Sequence, residues 1–405
     1  MQFLHRTHTN IYRFLLRLFL FSNIIIITLL TTACSPSFEE MAERRFEYAK
    51  KNKGDIYIAA IDNYNAPNSN FLNGAQLAAD IINARPNKLI GRNLKIEAAQ
   101  DGANFEDTKT TIIRLTANPK VVAAIGHGRS SIAVPASALY ERSQLVLMSS
   151  FSTLKGLTGH GFKYIFRMSP NAQVMADQLS SVAKTLNYQN IIILHARADV
   201  YRELAFLFED AAVSSEINIV KRASFFEKAD DYRNIISQFS DKPFDAVFIA
   251  APTNASALMS KQLREMGINQ PILGGDALNS NNYYTLAKQA ANNTIVPSLY
   301  DDLSTNKVVE DFIKQYKRKY KEAPNHVAAQ AYDSVMLLAN AIEQANSTLP
   351  SSLASTLHYM PAWVGATGLH AFSPEGEVQG KKYLFKVWKN GKKETLPSIH
   401  IPYLV

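Results

Sequence analysis

Cysteine is almost absent from the sequence, since the 405 residues include only one, Cys34. A single cysteine cannot form an internal disulfide, and it excludes a zinc site built from several thiolates. The nine histidines do not show the spacing of metal ligands either. We therefore expect a protein that uses no metal and no cofactor.

Common catalytic motifs are lacking as well. There is no phosphate-binding loop that ends in Gly-Lys-Ser or Gly-Lys-Thr, and no Gly-x-Ser-x-Gly elbow. Residues 126–131 begin like a dinucleotide loop, but Ser131 stands where the third glycine should be. His127 and His195 follow predicted strands, where a binding role and a hydrogen-bonded structural role are both open. These absences predict that the chain is not an enzyme.

No dense basic surface is predicted. The net charge is +8, but Arg6, Arg13 and Arg17 precede every acidic residue, and the chain after residue 33 carries only +5. The remaining basic residues are scattered, apart from short runs typical of a solvated helix face. The charge pattern therefore predicts no nucleic-acid partner.

The N-terminus has the order of a secretory signal. A positively charged leader precedes the apolar run Leu18–Leu30, small residues follow, and Cys34 comes next. The apolar run is shorter than the about 20 residues that span a membrane. We interpret residues 1–33 as a lipoprotein signal peptide and Cys34 as the lipidated residue, although Thr31 stands where a lipobox usually has Leu. An ordinary signal followed by an incidental cysteine is the alternative.

This N-terminus predicts a periplasmic protein that a lipid anchors to the membrane. Ser35 after the anchor is compatible with the outer membrane, and the inner membrane stays open. Residues 34–53 are predicted to form a lipidated tether and a short charged helix, whose polar character argues against a role in the core.

Beyond residue 54, short apolar runs alternate with amphipathic stretches. Runs that are apolar throughout are typical of parallel strands buried on both faces. Phe71, Ala75, Ala78 and Ile82 instead repeat at helical spacing. The apolar runs are residues 56–61, 94–97, 121–125, 145–148, 191–194, 246–249 and 271–273.

The fold class is therefore α/β. Strands and helices alternate over some 300 residues, which is more than one open sheet holds. We therefore predict two Rossmann-like, doubly wound lobes. Their predicted boundaries are 54–169 with 300–371 for lobe 1, and 170–299 with 372–405 for lobe 2. Three crossovers near Pro170, Tyr300 and Phe372 would join them.

Hydroxyl groups follow several strand ends. Doubly wound folds bind ligands beyond the carboxyl ends of their strands. Ser130 follows one strand, Ser152 and Thr153 follow the next, and Asp276 follows a strand and two glycines. Hydroxyls and amides at a helix start suit a carboxylate, and Asp276 on the other lobe suits an ammonium. The alternative is that Ser130 and Asp276 cap helices.

The ordered motifs resemble the type I periplasmic binding proteins, and most closely the branched-chain amino-acid-binding components of ABC importers. The resemblance runs from about Gly54 to about Gly391. Its marks are residues 73–84 (Asn-Gly-Ala-Gln-Leu-Ala-Ala-Asp-Ile-Ile-Asn-Ala), Ile90-Gly-Arg, Asp101, Ile125-Gly-His with Ser130-Ser131, Leu157-Thr-x-x-Gly-x-x-Tyr164-x-Phe-Arg167, Ala331-Tyr-Asp-Ser-Val335, Gly365-Ala-Thr-Gly368, and Phe372 with Gly376.

The resemblance implies roles for the strand-end residues. It implies that Ser130, Ser152 and Thr153 bind a ligand carboxylate and that Asp276 faces the ligand ammonium. The family's second-lobe Tyr would fall on Val200, with Tyr201 one place late. The sequence also departs at Arg202, where a small residue is expected. The family has another aromatic residue at the place of Pro252 or Thr253. Its first-lobe aromatic residue lies near Tyr64 to Asn68. We include Tyr64 and Tyr201 among the expected ligand residues, but we do not predict leucine as the ligand.

Two classes of function follow. The first is capture of an amino acid or similar small polar solute for an inner-membrane ABC permease, with closure of the lobes on the ligand. The second is an envelope lipoprotein with a regulatory or interaction role, or a ligand sensor, that keeps the fold without a transport role.

Overall fold

A computed structural model describes residues 36–63 and 70–396. Its secondary structure alternates strands and helices, as the sequence predicts, and each predicted apolar run lies in or against a strand. Among the described residues, no helix is both long enough and apolar enough to cross a membrane.

The first lobe is built on a parallel sheet of five strands in the order β2-β1-β3-β4-β5. Strand order reverses between β1 and β3, which is the switch point where doubly wound folds bind ligands. The helices and strands of this segment are α1 (Phe38–Lys50), β1 (Ile56–Asp62), α2 (Phe71–Asn83), β2 (Leu94–Gln100), α3 (Phe105–Ala117), β3 (Val121–Gly126), α4 (Ser130–Arg142), β4 (Val146–Ser149) and β5 (Ile165–Arg167).

The second lobe repeats the same winding order. Its sheet runs β14-β13-β10-β9-β8-β6-β7, so that strands β6 to β10 repeat the order of β1 to β5. Strand β13 is antiparallel to β10 and to β14. The elements are α5 (Ala172–Thr185), β6 (Asn190–Ala196), α6 (Asp199–Ser214), β7 (Asn218–Phe225), α7 (Arg233–Ile236), β8 (Ala246–Ala250), α8 (Thr253–Glu265), β9 (Ile272–Gly274), α9 (Asn281–Ala287), β10 (Thr294–Ser298), β13 (Leu384–Lys389) and β14 (Lys392–Thr395).

The remaining elements return to the first lobe. Side chains of the helices after β10 share one buried core with strands β1, β3 and β4. A small antiparallel hairpin, β11-β12, follows them. These elements are α10 (Lys307–Tyr320), α11 (His326–Ala345), α12 (Pro350–Tyr359), β11 (Trp363–Gly365) and β12 (Gly368–His370).

Because successive elements belong first to one lobe and then to the other, the chain passes between the lobes three times. The first crossover joins β5 to α5, the second joins β10 to α10, and the third joins β12 to β13. The two doubly wound lobes and their three connections confirm the predicted fold class.

Helix α1 is part of the first lobe, so the expectation that its polar character keeps it out of the core is wrong. Met41, Arg45 and Ala49 are buried on one face of the helix. The Arg45 guanidinium donates to the carbonyl oxygens of Val121, Ser143 and Thr116 at 3.1, 2.6 and 2.5 Å. Burial lowers the pKa of Arg45 to about 10, so the side chain stays charged at neutral pH. Three unpaired carbonyls where neighbouring elements end supply the site for this cation.

Candidate ligand-binding site

The carboxyl ends of β3 and β4 bring three of the predicted residues together. The Ser152 hydroxyl donates to Ser130 Oγ at 3.1 Å, and the backbone N–H of Thr153 donates to the same oxygen at 3.2 Å. All three residues are buried. The predicted alternative in which Ser130 caps α4 is wrong, because Arg129 occupies the N-cap and the Ser130 hydroxyl oxygen accepts from the loop after β4 instead.

Asp276 lies at the corresponding edge of the second lobe. It begins a short 3₁₀ helix, Asp276–Asn279, after β9. The two preceding glycines are closely packed against leucine side chains, because a Cβ on Gly274 would lie 2.5 Å from Leu278 and one on Gly275 would lie 2.9 Å from Leu204.

The carboxyl of Asp276 has a perturbed pKa although the residue is solvent-exposed. Burial nevertheless raises the pKa of its carboxyl, while the backbone amides of Asp276 and Ala277 oppose that rise. An ammonium placed beside this carboxyl would favour the charged carboxylate.

The hydroxyl of Tyr201, near the start of α6, has a perturbed pKa. Burial and the nearby carboxylates of Asp276 and Glu227 raise the pKa of the Tyr201 hydroxyl, whereas Arg129 of the first lobe opposes the rise. Tyr201 therefore lies within electrostatic reach of both Asp276 and Arg129. Its role in ligand binding stays a prediction.

The lobes also touch directly. The backbone N–H of Lys155 donates to Glu203 Oε1 at 3.2 Å, and the N–H of Ala172 donates to the Thr153 carbonyl at 2.9 Å. The loop after β4 therefore contacts α6 and α5 of the second lobe. Sequence reasoning missed Arg129 and Glu203, because a charged residue beside a strand end gives no signal of its partner across a cleft.

Two predicted residues lie outside the described part of the chain. They are Tyr64, which was expected to provide the first-lobe aromatic, and Cys34, which was expected to carry the lipid. Within residues 36–63 and 70–396, no group of three or more His, Cys, Asp and Glu residues is arranged to hold a metal ion.

His127 and His195 are hydrogen-bonded structural histidines, which is one of the two roles that the sequence leaves open. His127 is buried, with Nδ1 2.7 Å from Asp101 Oδ1 and Nε2 3.1 Å from the Tyr140 hydroxyl. His195 is also buried and pairs with the Ala196 carbonyl. Burial lowers the pKa of His195. Both rings have their partners inside one lobe rather than across the cleft.

A cleft between two doubly wound lobes, with hydroxyls and amides on one side and a carboxylate on the other, defines a two-lobed solute-binding protein. Residues 63–392 match the family model described as "Periplasmic binding protein", and the chain belongs to that family. Relatives that it resembles include Leu/Ile/Val-binding proteins and an ABC transporter substrate-binding protein. This is a family of extracytoplasmic binding proteins, which confirms the resemblance seen in the motifs.

Individual relatives are distant in sequence. The chain is 23% identical to the Leu/Ile/Val-binding protein homolog 3 of Brucella melitensis over 85% of this chain and 94% of that protein. It is 25% identical to the leucine-specific-binding protein of Salmonella typhimurium over 75% and 83% of the two chains. An ABC transporter substrate-binding protein from Desulfitobacterium hafniense, solved in complex with Leu, superposes with a TM-score of 0.78 at 28% identity over 84% of this chain and 100% of that one.

Proposed function

We propose that this protein is the exported solute-binding component of an ABC importer and that it captures an amino acid in the cleft between its lobes. The observation that carries the proposal is the polarity of the cleft. Ser130, Ser152 and the Thr153 amide form one side, and Asp276 stands on the opposite lobe. An amino acid has the matching polarity, with a carboxylate at one end and an ammonium at the other.

The rest of the proposed pocket gives the ligand its side-chain preference. Tyr201 and Tyr64 are the aromatic residues proposed to contact the ligand. Arg129 and Glu227 add charges near Tyr201. Relatives are named for leucine, isoleucine and valine. A pocket bordered by charges favours a more polar side chain, so the ligand is proposed as a class, an amino acid or close analogue.

Binding is proposed to close the lobes about the three crossovers. The proposed bodies are residues 54–169 with 300–371, and residues 170–299 with 372–405. The Lys155–Glu203 hydrogen bond already joins the lobes in this structure, and the closed arrangement is proposed to give an inner-membrane permease a surface that reports the bound state. Small-angle scattering should show a smaller radius of gyration at saturating ligand, and an unchanged radius with confirmed binding contradicts the closure.

Membrane attachment is proposed through a lipid on Cys34 after removal of residues 1–33. The charged leader, the apolar run and the lone cysteine support it. Stable attachment requires more than one acyl chain. Mass spectrometry of the N-terminal peptide tests this, since an unmodified Cys34 or cleavage elsewhere contradicts it.

The central experiment compares wild type with Asp276→Asn. A panel of amino acids is first screened by thermal shift, where a ligand at 100 times its Kd should stabilise the fold by about 2.7 kcal/mol. Calorimetric titration then measures the best ligand. Losing one partner of a buried charge pair costs about 2–5 kcal/mol, which is about 30-fold to several thousandfold in affinity. Asp210→Asn, at an exposed position on α6, is the control.

The second candidate function is a regulatory or interaction lipoprotein that does not transport. The observation that favours it is Ser35 directly after Cys34, which is compatible with the outer membrane. Absence of any thermal shift across the amino-acid panel, together with outer-membrane fractionation, would favour this candidate over the importer.

A further inference from the structure

Three successive carbonyls in the loop after β4 each accept a hydrogen bond from a residue outside the loop. The guanidinium of Arg167 donates through Nη1 to the Ser152 carbonyl and through Nη2 to the Leu154 carbonyl, both at 2.6 Å. The Thr153 carbonyl between them accepts from the N–H of Ala172 at 2.9 Å. With these carbonyls held by Arg167 and Ala172, the loop directs the Ser152 hydroxyl and the Thr153 amide at Ser130 Oγ. Because its oxygen accepts both bonds, the Ser130 hydroxyl is left to donate its own O–H, which suits a carboxylate.

Arg167 is itself held by hydrogen bonds to residues 376 and 377. Its side chain is fully buried, and Nε donates to Glu377 Oε1 at 3.0 Å. Its backbone N–H donates to the Gly376 carbonyl at 2.9 Å. The Thr158 hydroxyl donates to the same Glu377 carboxylate. Arg167 ends β5 at the first crossover and Glu377 lies in the third, so one ion pair joins the loop to two of the three connections between the lobes.

Only an arginine has the geometry for this arrangement. The planar guanidinium presents several N–H groups in a fixed fork, whereas a lysine ammonium is a compact charge that cannot span two carbonyls and a carboxylate in the same way. Burial lowers the pKa of Arg167 while the Glu377 carboxylate raises it. A buried guanidinium paired and bonded in this manner stays charged, and its removal leaves several polar groups without partners.

We propose that Arg167 is the positioning residue of the ligand-carboxylate site: by holding the Ser152 and Leu154 carbonyls, it keeps the Ser152 hydroxyl and the Thr153 amide on Ser130 Oγ, so that the Ser130 O–H is left for the ligand carboxylate. The proposal rests on the proposed function for the identity of the ligand. The position of the loop, however, is a property of the ligand-free protein and can be tested separately.

The first experiment measures hydrogen exchange in the ligand-free, full-length protein purified in detergent. Arg167→Lys should raise the exchange rate of the amides in residues 152–158 by about tenfold or more, because the loop loses its anchors. Arg45→Lys is the matched control, since Arg45 is another fully buried arginine bonded to backbone carbonyls, but at helix α1. It should raise exchange in α1 and leave the loop unchanged. Unchanged loop exchange in Arg167→Lys overturns the proposal, whatever the protein binds.

The second experiment measures binding of L-leucine and L-leucinamide by calorimetry. Wild type should prefer the carboxylate of leucine over the amide. In Arg167→Lys this preference should fall by about tenfold, or about 1.4 kcal/mol. A purely structural defect would weaken both probes equally, so an unchanged preference also overturns the positioning role. If neither probe binds the wild-type protein, leucine is not a ligand. The hydrogen-exchange result alone then decides whether Arg167 positions the loop.

Discussion

The ammonium of Lys381 lies 3.0 Å from the Met168 carbonyl oxygen, so a buried charge joins the third crossover to the first. The same ammonium donates to the Thr367 hydroxyl at 3.0 Å and to His370 Nε2 at 2.7 Å. Burial lowers the pKa of Lys381 to about 7, and the Asp333 carboxylate only partly opposes this. His370 can accept from Lys381 because burial also lowers the pKa of its ring.

The lowered pKa of Lys381 predicts that stability depends on pH. Unfolded, Lys381 has its ordinary pKa of about 10.4, so between pH 7 and 10 the unfolded chain binds one proton more than the folded one. The free energy of unfolding should therefore rise with pH, by at most about 1.4 kcal/mol per pH unit from this residue. Urea denaturation of wild type and Lys381→Met from pH 6.5 to 9 measures the difference, with Lys382→Met as the exposed control. A constant difference at every pH contradicts the prediction.

Gly376 should tolerate no side chain, because two constraints meet there. Its φ is +81°, and a Cβ would lie 2.0 Å from the Ile165 carbonyl oxygen. Gly159 has a similar φ of +86°, but a Cβ there would have nothing within 4 Å. A substitution at Gly159 therefore measures the cost of the backbone strain alone. Gly159→Ala should cost about 1–2 kcal/mol of stability. Gly376→Ala should cost at least about 2 kcal/mol more, since backbone has to move. Equal losses in urea denaturation would show that the close approach has no effect.

The sequence predicts the strands of this protein well because parallel strands buried on both faces must be apolar throughout. The run at residues 121–125 is one such case, and it lies in β3. The meeting of Ser130, Ser152 and Thr153 is also predictable, since each follows a strand and the carboxyl ends of neighbouring parallel strands lie at one edge of the sheet.

What the sequence does not predict is which charges are buried. Arg45 and Arg167 have polar or mixed neighbours in sequence, and both are fully buried. Each occupies a place defined by carbonyls from distant parts of the chain, such as Ser143 for Arg45 and Ser152 for Arg167. Because those carbonyls converge only in the folded lobe, spacing along the chain carries no signal of them.

Helix α1 should contribute substantially to the stability of the first lobe through Arg45. Truncation in Arg45→Ala leaves three buried carbonyls without donors, and each unsatisfied group costs about 1–3 kcal/mol. We expect a loss of at least about 3 kcal/mol in urea denaturation. Arg44→Ala changes the exposed neighbour on the same helix and should alter stability by less than about 0.5 kcal/mol. Similar small losses for both variants would mean that α1 is not held by Arg45.

Ser130 should be the first-lobe side chain whose loss weakens ligand binding most. Its oxygen accepts from the Ser152 hydroxyl and the Thr153 amide, which leaves its own O–H to donate toward a carboxylate in the cleft. A hydrogen bond to a charged group contributes about 1.5–3 kcal/mol, so Ser130→Ala should lower affinity for the best amino acid by about tenfold to about 150-fold. Ser131→Ala, at the adjacent exposed position, should change affinity by less than about twofold. Calorimetric titration of both variants, with melting curves to confirm folding, measures the effect. If the two serines weaken binding equally, the carboxylate does not lie at the start of α4. A folded Ser130→Ala with wild-type affinity would place the ligand elsewhere in the cleft.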